Sequence, residues 1–436
     1  MTLVPLLVLS AWQAASGQAP AEKWEPAYPK LFNRTTGANG FEDYVRAADI
    51  ASNPEASSFV SYEIYLADLA RGEKRDQVVQ PPKGIGDSWS LLDVQREHVR
   101  RTAMALDLVD RGNAKNVFDP RQDLNAATIY PELAELRALA KLGLTACRVS
   151  FADGQPDRAV SISISLMTMR QKLPKRSLID ELVGVSIDAM VLANISDNSQ
   201  RISERGWKQL ESFVNQRLQE NTYKAAMAGE LNFVLSALAE MRRSPEAFGA
   251  LLASDDYERI TKTNANLTPS DRDKLIARTT QKVQSVFTDL LQQLDGPERT
   301  WVQDLTAKHS DGQDASLEGL ATSIVETFTP AYGSGGEVAV RIRTQLRLLK
   351  LHALVQSYLW NNEVLPEKLE QAAPKDYIDP LTDAPYIYEP HGKDYKLASK
   401  GLPQTGEIQL RYKRQPGTST GPADPLPLLN QLRLQP

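Results

Sequence analysis

From Phe41 to Pro330 the apolar residues of this chain recur at spacings of three and four, and strict apolar alternation is almost absent. That period belongs to helices with one buried face, because about 3.6 residues complete a turn. Phe41, Tyr44, Val45 and Ala48 share one face, and Phe59, Tyr62, Tyr65, Leu66 and Leu69 share another. Asp87 or Ser88 offers an N-cap for a helix reaching about Arg111, and Gly112-Asn113 suits a left-handed C-cap. Pro131 opens a helix to Phe151, whose buried stripe is Leu133, Leu136, Leu139, Ala140, Gly143, Leu144 and Cys147. A tight turn over Ala152–Ala159 leads into a helix to about Gln171. Its Gly154-to-Ala159 spelling looks like one tetratricopeptide-type hairpin, but no second copy follows at the roughly 34-residue period. Further helices are expected over 177–195, 203–219, 222–243, 245–253, 268–294, 298–309 and 315–328.

The expected fold class is therefore mainly α: an array of helical hairpins over 41–330, with a small C-terminal α+β module of a helix plus an antiparallel β-meander. Tyr332-Gly333-Ser334-Gly335-Gly336 reads as a hinge, so 331–337 is expected to be a Gly-rich linker and 338–413 a separate module. In that module Val338 to Asn361 forms a long helix, with Val338, Ile342, Leu346, Leu349 and Ala353 along one stripe. A short helix follows at 367–372, then the meander over 377–413. Tyr386, Tyr388, Tyr395 and Leu397 alternate as strand residues, and Pro380 and Pro385 suit strand starts or edges, where no ladder donor is lost. Residues 414–436 form a tail rich in Pro, Gly and Ser.

Residues 1–17 read as a secretory signal peptide. Leu3 to Trp12 is apolar apart from Pro5 and Ser10, and Ala15-Ser16-Gly17 supplies the small cleavage residues, although the n-region carries no Lys or Arg. The apolar run is shorter than the roughly 20 residues that span a bilayer. No later segment reaches that length without charges, so no transmembrane segment is expected in the mature chain. The chain is expected to be exported, to the periplasm or beyond, with residues 18–40 as an extended lead. Its net charge of −5 over 436 residues gives no basic excess for nucleic acid or an anionic membrane.

Chemical motifs are absent. The four histidines, His98, His309, His352 and His391, are far apart, with no H-E-x-x-H and no cysteine pair for zinc. Cys147 stands alone in an apolar stripe, where a small buried residue fits better than a nucleophile. There is no G-x-S-x-G, and Gly333–Glu337 lacks the Gly-Lys-Ser/Thr ending of a phosphate loop. Paired acids at Glu42-Asp43, Asp255-Asp256 and Asp271/Asp273 suit helix N-termini. Neither a metal nor a cofactor is expected, and the reading leans away from an enzyme. Arg343, Arg347 and Lys350 share a helix face and form a candidate docking strip for an acidic partner. Asn33-Arg34-Thr35 matches the glycosylation sequon.

One resemblance covers 338–401. Leu365-Pro366, Asp379-Pro380, Pro385-Tyr386, Tyr388, Tyr395, Leu397, Ser399 and Gly401 follow the order of the C-terminal domain of type II secretion major pseudopilins. The structural motif residues are thus Asp379, Pro380, Pro385, Tyr386, Tyr388, Tyr395, Ser399 and Gly401. Two departures limit it. There is no prepilin-type leader, and Leu402–Glu407 supplies a single acid where pseudopilins carry a calcium loop. The Tyr28–Asn33 and Asn39–Tyr44 segments also resemble the openings of secreted helical proteins of planctomycete-like bacteria, a likeness that brings no activity with it. The expected role is that of a bacterial cell-envelope protein acting through protein–protein contacts, with another envelope protein as partner. The alternatives are an envelope-polymer hydrolase or lyase using an unrecognised acid/His site, and an accessory of a secretion or pilus system.

Overall fold

A computed structural model describes residues 24–32, 37–73, 78–86, 88–121, 130–243, 268–302, 316–328, 330–392 and 394–410. The signal-peptide segment, the sequon, the 245–253 helix, most of 298–309 and the 414–436 tail lie outside the described residues. Fourteen α-helices and five short strands occur among the described residues: α1 (Tyr28–Leu31), α2 (Gly40–Ser52), α3 (Pro54–Ala70), α4 (Leu91–Arg101), α5 (Ala103–Asn113), α6 (Glu132–Ala152), α7 (Pro156–Lys172), α8 (Leu178–Asp197), α9 (Glu204–Arg217), α10 (Thr222–Arg243), α11 (Pro269–Gln293), α12 (Leu317–Phe328), α13 (Pro330–Asn362) and α14 (Leu369–Ala372), then β1 (Ile378–Asp379), β2 (Ala384–Pro385), β3 (Ile387–His391), β4 (Asp394–Ser399) and β5 (Ile408–Gln409). The fold is mainly α with a small C-terminal sheet module, as the periodicity implies.

Side-chain caps mark five of the helix starts. Asn39, Asn53, Ser90, Ser203 and Thr268 each cap a helix by accepting a backbone N–H. Ser90 and Asp93 complete a capping box on α4, so the cap is Ser90 rather than Asp87 or Ser88. Sequential helices stack as neighbours: α6 on α7, α7 on α8, α10 on α11, α11 on α12. One apolar core runs from Phe41 through Leu139, Ile187, Trp207 and Phe287 to Leu349 and Ile408, and a satellite core of Phe59, Tyr62, Ile85 and Val94 lies between α3 and α4. No described helix is long and apolar enough to cross a membrane.

The single helix expected up to Arg111 is two helices, broken at Thr102. The Thr102 hydroxyl donates to the His98 carbonyl at 2.7 Å, competing for an acceptor of the helix ladder. Gly112 does not end α5, which continues to Asn113. A Cβ at Gly112 would sit 2.5 Å from the Tyr44 ring, so glycine there lets α5 close on α2.

The Gly-rich linker expected over 331–337 is corrected in the same way. These residues are part of α13, a single 33-residue helix. A Cβ at Gly335 would meet the Tyr223 hydroxyl at 2.9 Å, and one at Gly336 would meet the Trp301 carbonyl oxygen at 2.5 Å. The Tyr223 hydroxyl also donates to the Tyr332 carbonyl at 2.5 Å. The tertiary contact that only glycine permits outweighs its poor helix propensity of about 1 kcal/mol per residue. Along its length α13 packs on α8 and α9 and carries α14, β4 and β5.

Candidate functional site

The C-terminal module is built on two adjacent faces of α13. On one, Arg341, Gln345, His352 and Gln356 recur at helical spacing, and their side chains take up the loose backbone of the sheet. Arg341 donates to the Thr405 carbonyl, Gln345 to the Gln409 carbonyl, and His352 Nε2 to the Leu410 carbonyl at 2.6 Å. With Nε2 as the donor, His352 Nδ1 accepts from the Tyr395 hydroxyl at 2.9 Å, and that oxygen accepts from Gln356 Nε2 at 3.2 Å. Burial pushes the His352 pKa down to about 4, so the ring is neutral at pH 7.

Asp379 anchors the turn of the meander. It is 1 % exposed. One carboxylate oxygen accepts the Leu381 N–H at 3.0 Å, the other the Ser399 hydroxyl at 2.6 Å, and Ser399 Oγ accepts the Gly401 N–H at 2.9 Å. Gly401 has φ +68°, and a Cβ there would overlap the Gly406 carbonyl oxygen. The Tyr388 hydroxyl donates to the Pro366 carbonyl at 3.0 Å. Tyr386 is buried near Arg347, Pro380 follows β1, and Pro385 lies exposed in β2, paired only with Ile378. Of the motif residues, Asp379, Ser399 and Gly401 are joined by hydrogen bonds and the Tyr388 and Tyr395 rings are 5.7 Å apart, contacts that hold the meander together. β3, β4 and β5 form one antiparallel sheet in that order, with Tyr388 opposite Leu397 and Pro390 opposite Tyr395.

The docking strip is corrected. Arg343 and Arg347 face inward and share Glu298: Arg343 Nε lies 2.5 Å from its carboxylate, and Arg347 makes two bonds of 2.6 Å. Arg343 also donates to the carbonyls of Leu218 and Glu220, just beyond the end of α9, where the carbonyls of a helix terminus lack partners. Lys350 pairs with Asp376 at 2.7 Å. All three basic groups are spent within the chain, tying α13 to the body and to the module. A face read from spacing alone cannot show that Glu298, 45 residues before Arg343, lies against it.

No combination of described residues gathers the His, Cys, Asp and Glu needed for a metal. His98 is buried against Phe59 with Nδ1 at 2.6 Å from Glu63, and His391 is exposed beside Glu389; His309 lies outside the described residues. Cys147 is buried, and burial pushes its thiol up to about 11. Of the paired acids, Asp43 binds Lys115 and Arg111, Asp271 lies at the Thr268 cap, and Asp255-Asp256 lie outside the described residues. Gly333–Glu337 is helix interior rather than a phosphate loop. A depression of about 490 Å³ lined by Glu204, Arg205, Lys208, Gln209 and Ser212 runs along α9 and is open to solvent.

Sequence reasoning missed two buried ionic clusters. In the first, Arg170 on α7 binds Glu181 at 2.6 Å and Asp188 at 2.8 Å, both on α8, and Thr222 at the start of α10. Arg217 on α9 lies 3.4 Å from Asp188. In the second, Arg121 and Arg176 bind Asp119, Glu132 and Asp180. The signal was present as charged residues at positions the apolar stripe claims, since Asp180, Glu181 and Asp188 fall within an α8 that is otherwise apolar nearly all round.

Searches with this chain matched no family model, no curated protein and no solved structure.

Proposed function

We propose that the protein is an exported cell-envelope protein that works by contact with another envelope protein and uses the C-terminal module as its recognition element. The observation that supports this reading is that α13 belongs to both parts. One stretch packs on α8 and α9 and the other on β4 and β5. The module is therefore held in place by a helix, and a surface held in place loses less freedom on binding than one on a tether. Trp360, Val364 and Ile378 in this region are 38 %, 60 % and 40 % exposed. Of these, Trp is a residue type enriched among the anchors of protein interfaces. A secretion or pilus accessory is a narrower form of the same reading and rests on the pseudopilin resemblance. The hydrolase reading gains no support from the described histidines: His98 and His352 are closed inside packed clusters and His391 stands with a lone carboxylate.

The test is affinity capture from native envelope extract. Truncation after Tyr332 would cut α13 and expose its core face, so the comparison uses the mature chain and a Trp360→Ser, Val364→Ser, Ile378→Ser variant of unchanged melting temperature. A specific protein captured by the first and lost with the second supports the proposal. Equal capture by both, or no specific protein with either, opposes it and turns the search toward polymer substrates.

A further inference from the structure

The helix α6 is packed on by α2, α4, α7 and α8. Along it, only Ala134, Arg137, Ala138, Lys141, Arg148 and Ala152 escape full burial. At 3.6 residues per turn, Arg137, Lys141 and Arg148 fall within about 40° of one another around the axis. The three cations of α6 therefore line one narrow accessible strip of an otherwise enclosed helix.

None of these cations has an ion pair or a side-chain hydrogen bond among the described residues, and Arg137 Nε is shut off from water without a partner. Helices commonly set an acid three or four residues from such a charge. Here those positions hold Leu, Ala, Thr, Phe or another cation, and the acids of α6, Glu132 and Glu135, fall on the opposite side. Burial lowers the pKa of both Arg137 and Lys141, and repulsion from Arg137 lowers that of Lys141 further. No carboxylate offsets either shift. The fold thus holds two adjacent, partly dehydrated positive charges and supplies nothing to balance them. The chain as a whole carries −5, so an anion drawn here answers to local charge rather than to a general attraction.

We propose that Arg137 and Lys141 form a binding site for a small phosphate-bearing ligand, with Arg148 extending the site along α6. The planar guanidinium fork suits two phosphate oxygens, and the ammonium suits a third. A phosphate group with nearly two negative charges balances both cations, whereas a single carboxylate balances one. Ala134 and Ala138 leave room beside the pair. Arg148 lies about 10 Å along the axis from Lys141, a gap that two long stems can narrow toward a second phosphate group. The site does not depend on the C-terminal recognition surface or on the partner proposed for it.

Titration calorimetry of the full chain with inorganic diphosphate, at low and constant ionic strength, tests this, with acetate as the single-carboxylate control. Saturable binding of diphosphate and none of acetate is expected. The Arg137→Gln, Lys141→Gln variant should lose at least about tenfold in affinity, since each charge-assisted hydrogen bond is worth about that factor. It strands no acid, so its melting temperature should match that of the parent. Should it fail to fold, Lys141→Gln alone, at an exposed position, is expected to weaken binding by about tenfold. Absence of saturable diphosphate binding, equal affinity in the parent and K141Q, or acetate binding as tight as that of diphosphate would each overturn the proposal.

Discussion

The helical body and the C-terminal module fill their polar interiors in opposite ways. The body buries charge: Arg170, Glu181, Asp188 and Arg217 are all 3 % exposed or less, and they link three successive helices, α7, α8 and α9. The module buries neutral groups, with His352, Tyr395 and Gln356 in a chain of hydrogen bonds and Asp379 as its one deeply buried acid. Long helices bring side chains that are distant in sequence into register, so an arginine finds several carboxylates at once. A meander of short strands leaves carbonyls such as Leu410 and Gln409 unpaired, and uncharged donors on one helix suffice to satisfy them. The difference has a consequence for stability. Neutralising one member of a charged cluster leaves the rest exposed to an uncompensated field, whereas deleting one neutral partner costs only the hydrogen bonds it made.

The largest effect should follow Asp188→Ala. Arg170 and Arg217 would then face Glu181 alone inside the core, and loss of one partner of a buried pair typically costs about 3–5 kcal/mol. Denaturant unfolding should show this as a large fall in midpoint at unchanged slope. A change below about 1 kcal/mol would mean that water already reaches the cluster. Next comes acid. His352 is neutral in the fold and pushed from 6.5 to about 4, so it favours the folded state above about 6.5 and loses that contribution as pH falls through about 4. At about 1.4 kcal/mol per pH unit the gap is worth about 3 kcal/mol, and the proton should be taken up on unfolding in that window. Melting temperatures should therefore fall as pH is lowered from about 6.5 to 4, and His352→Gln should reduce that fall.

Smaller effects sharpen the comparison at the junction and within the module. Gly336→Ala would drive a methyl group into the Trp301 carbonyl, a clash of a size that usually costs about 1–3 kcal/mol. Were this segment a tether, the same change would be neutral or slightly stabilising by stiffening the unfolded chain. Tyr395→Phe would leave His352 Nδ1 without its donor and Gln356 Nε2 without its acceptor, at about 1–2 kcal/mol by thermal unfolding. An effect there as large as that of Asp188→Ala would erase the distinction between the two interiors.

Much of the body was legible in the sequence because helical period and caps are local signals. The helices expected over 177–195, 203–219 and 222–243 correspond to α8, α9 and α10 within a few residues. What stayed hidden depended on long-range partners. Gly112 read as a stop and Gly333–Gly336 as a hinge, because sequence shows the flexibility of glycine but not the Tyr44 ring or the Trp301 carbonyl that demand its small size. Arg343, Arg347 and Lys350 read as a free face because Glu298 and Asp376 lie elsewhere in the chain. In the module, Tyr386, Tyr388 and Tyr395 could be placed on strands by alternation, yet the Asp379–Ser399–Gly401 relay could be seen only once the strands were folded back on themselves.

The continuity of α13 supports both the fold described and the functional reading, and hydrogen exchange across 332–345 of the full chain measures it directly. A continuous helix predicts protection of residues 333–338 comparable to that of 342–345, with slow exchange through the glycines. Fast exchange confined to 333–337, with protected sequence on both sides, would contradict the account: it would make the module a tethered domain.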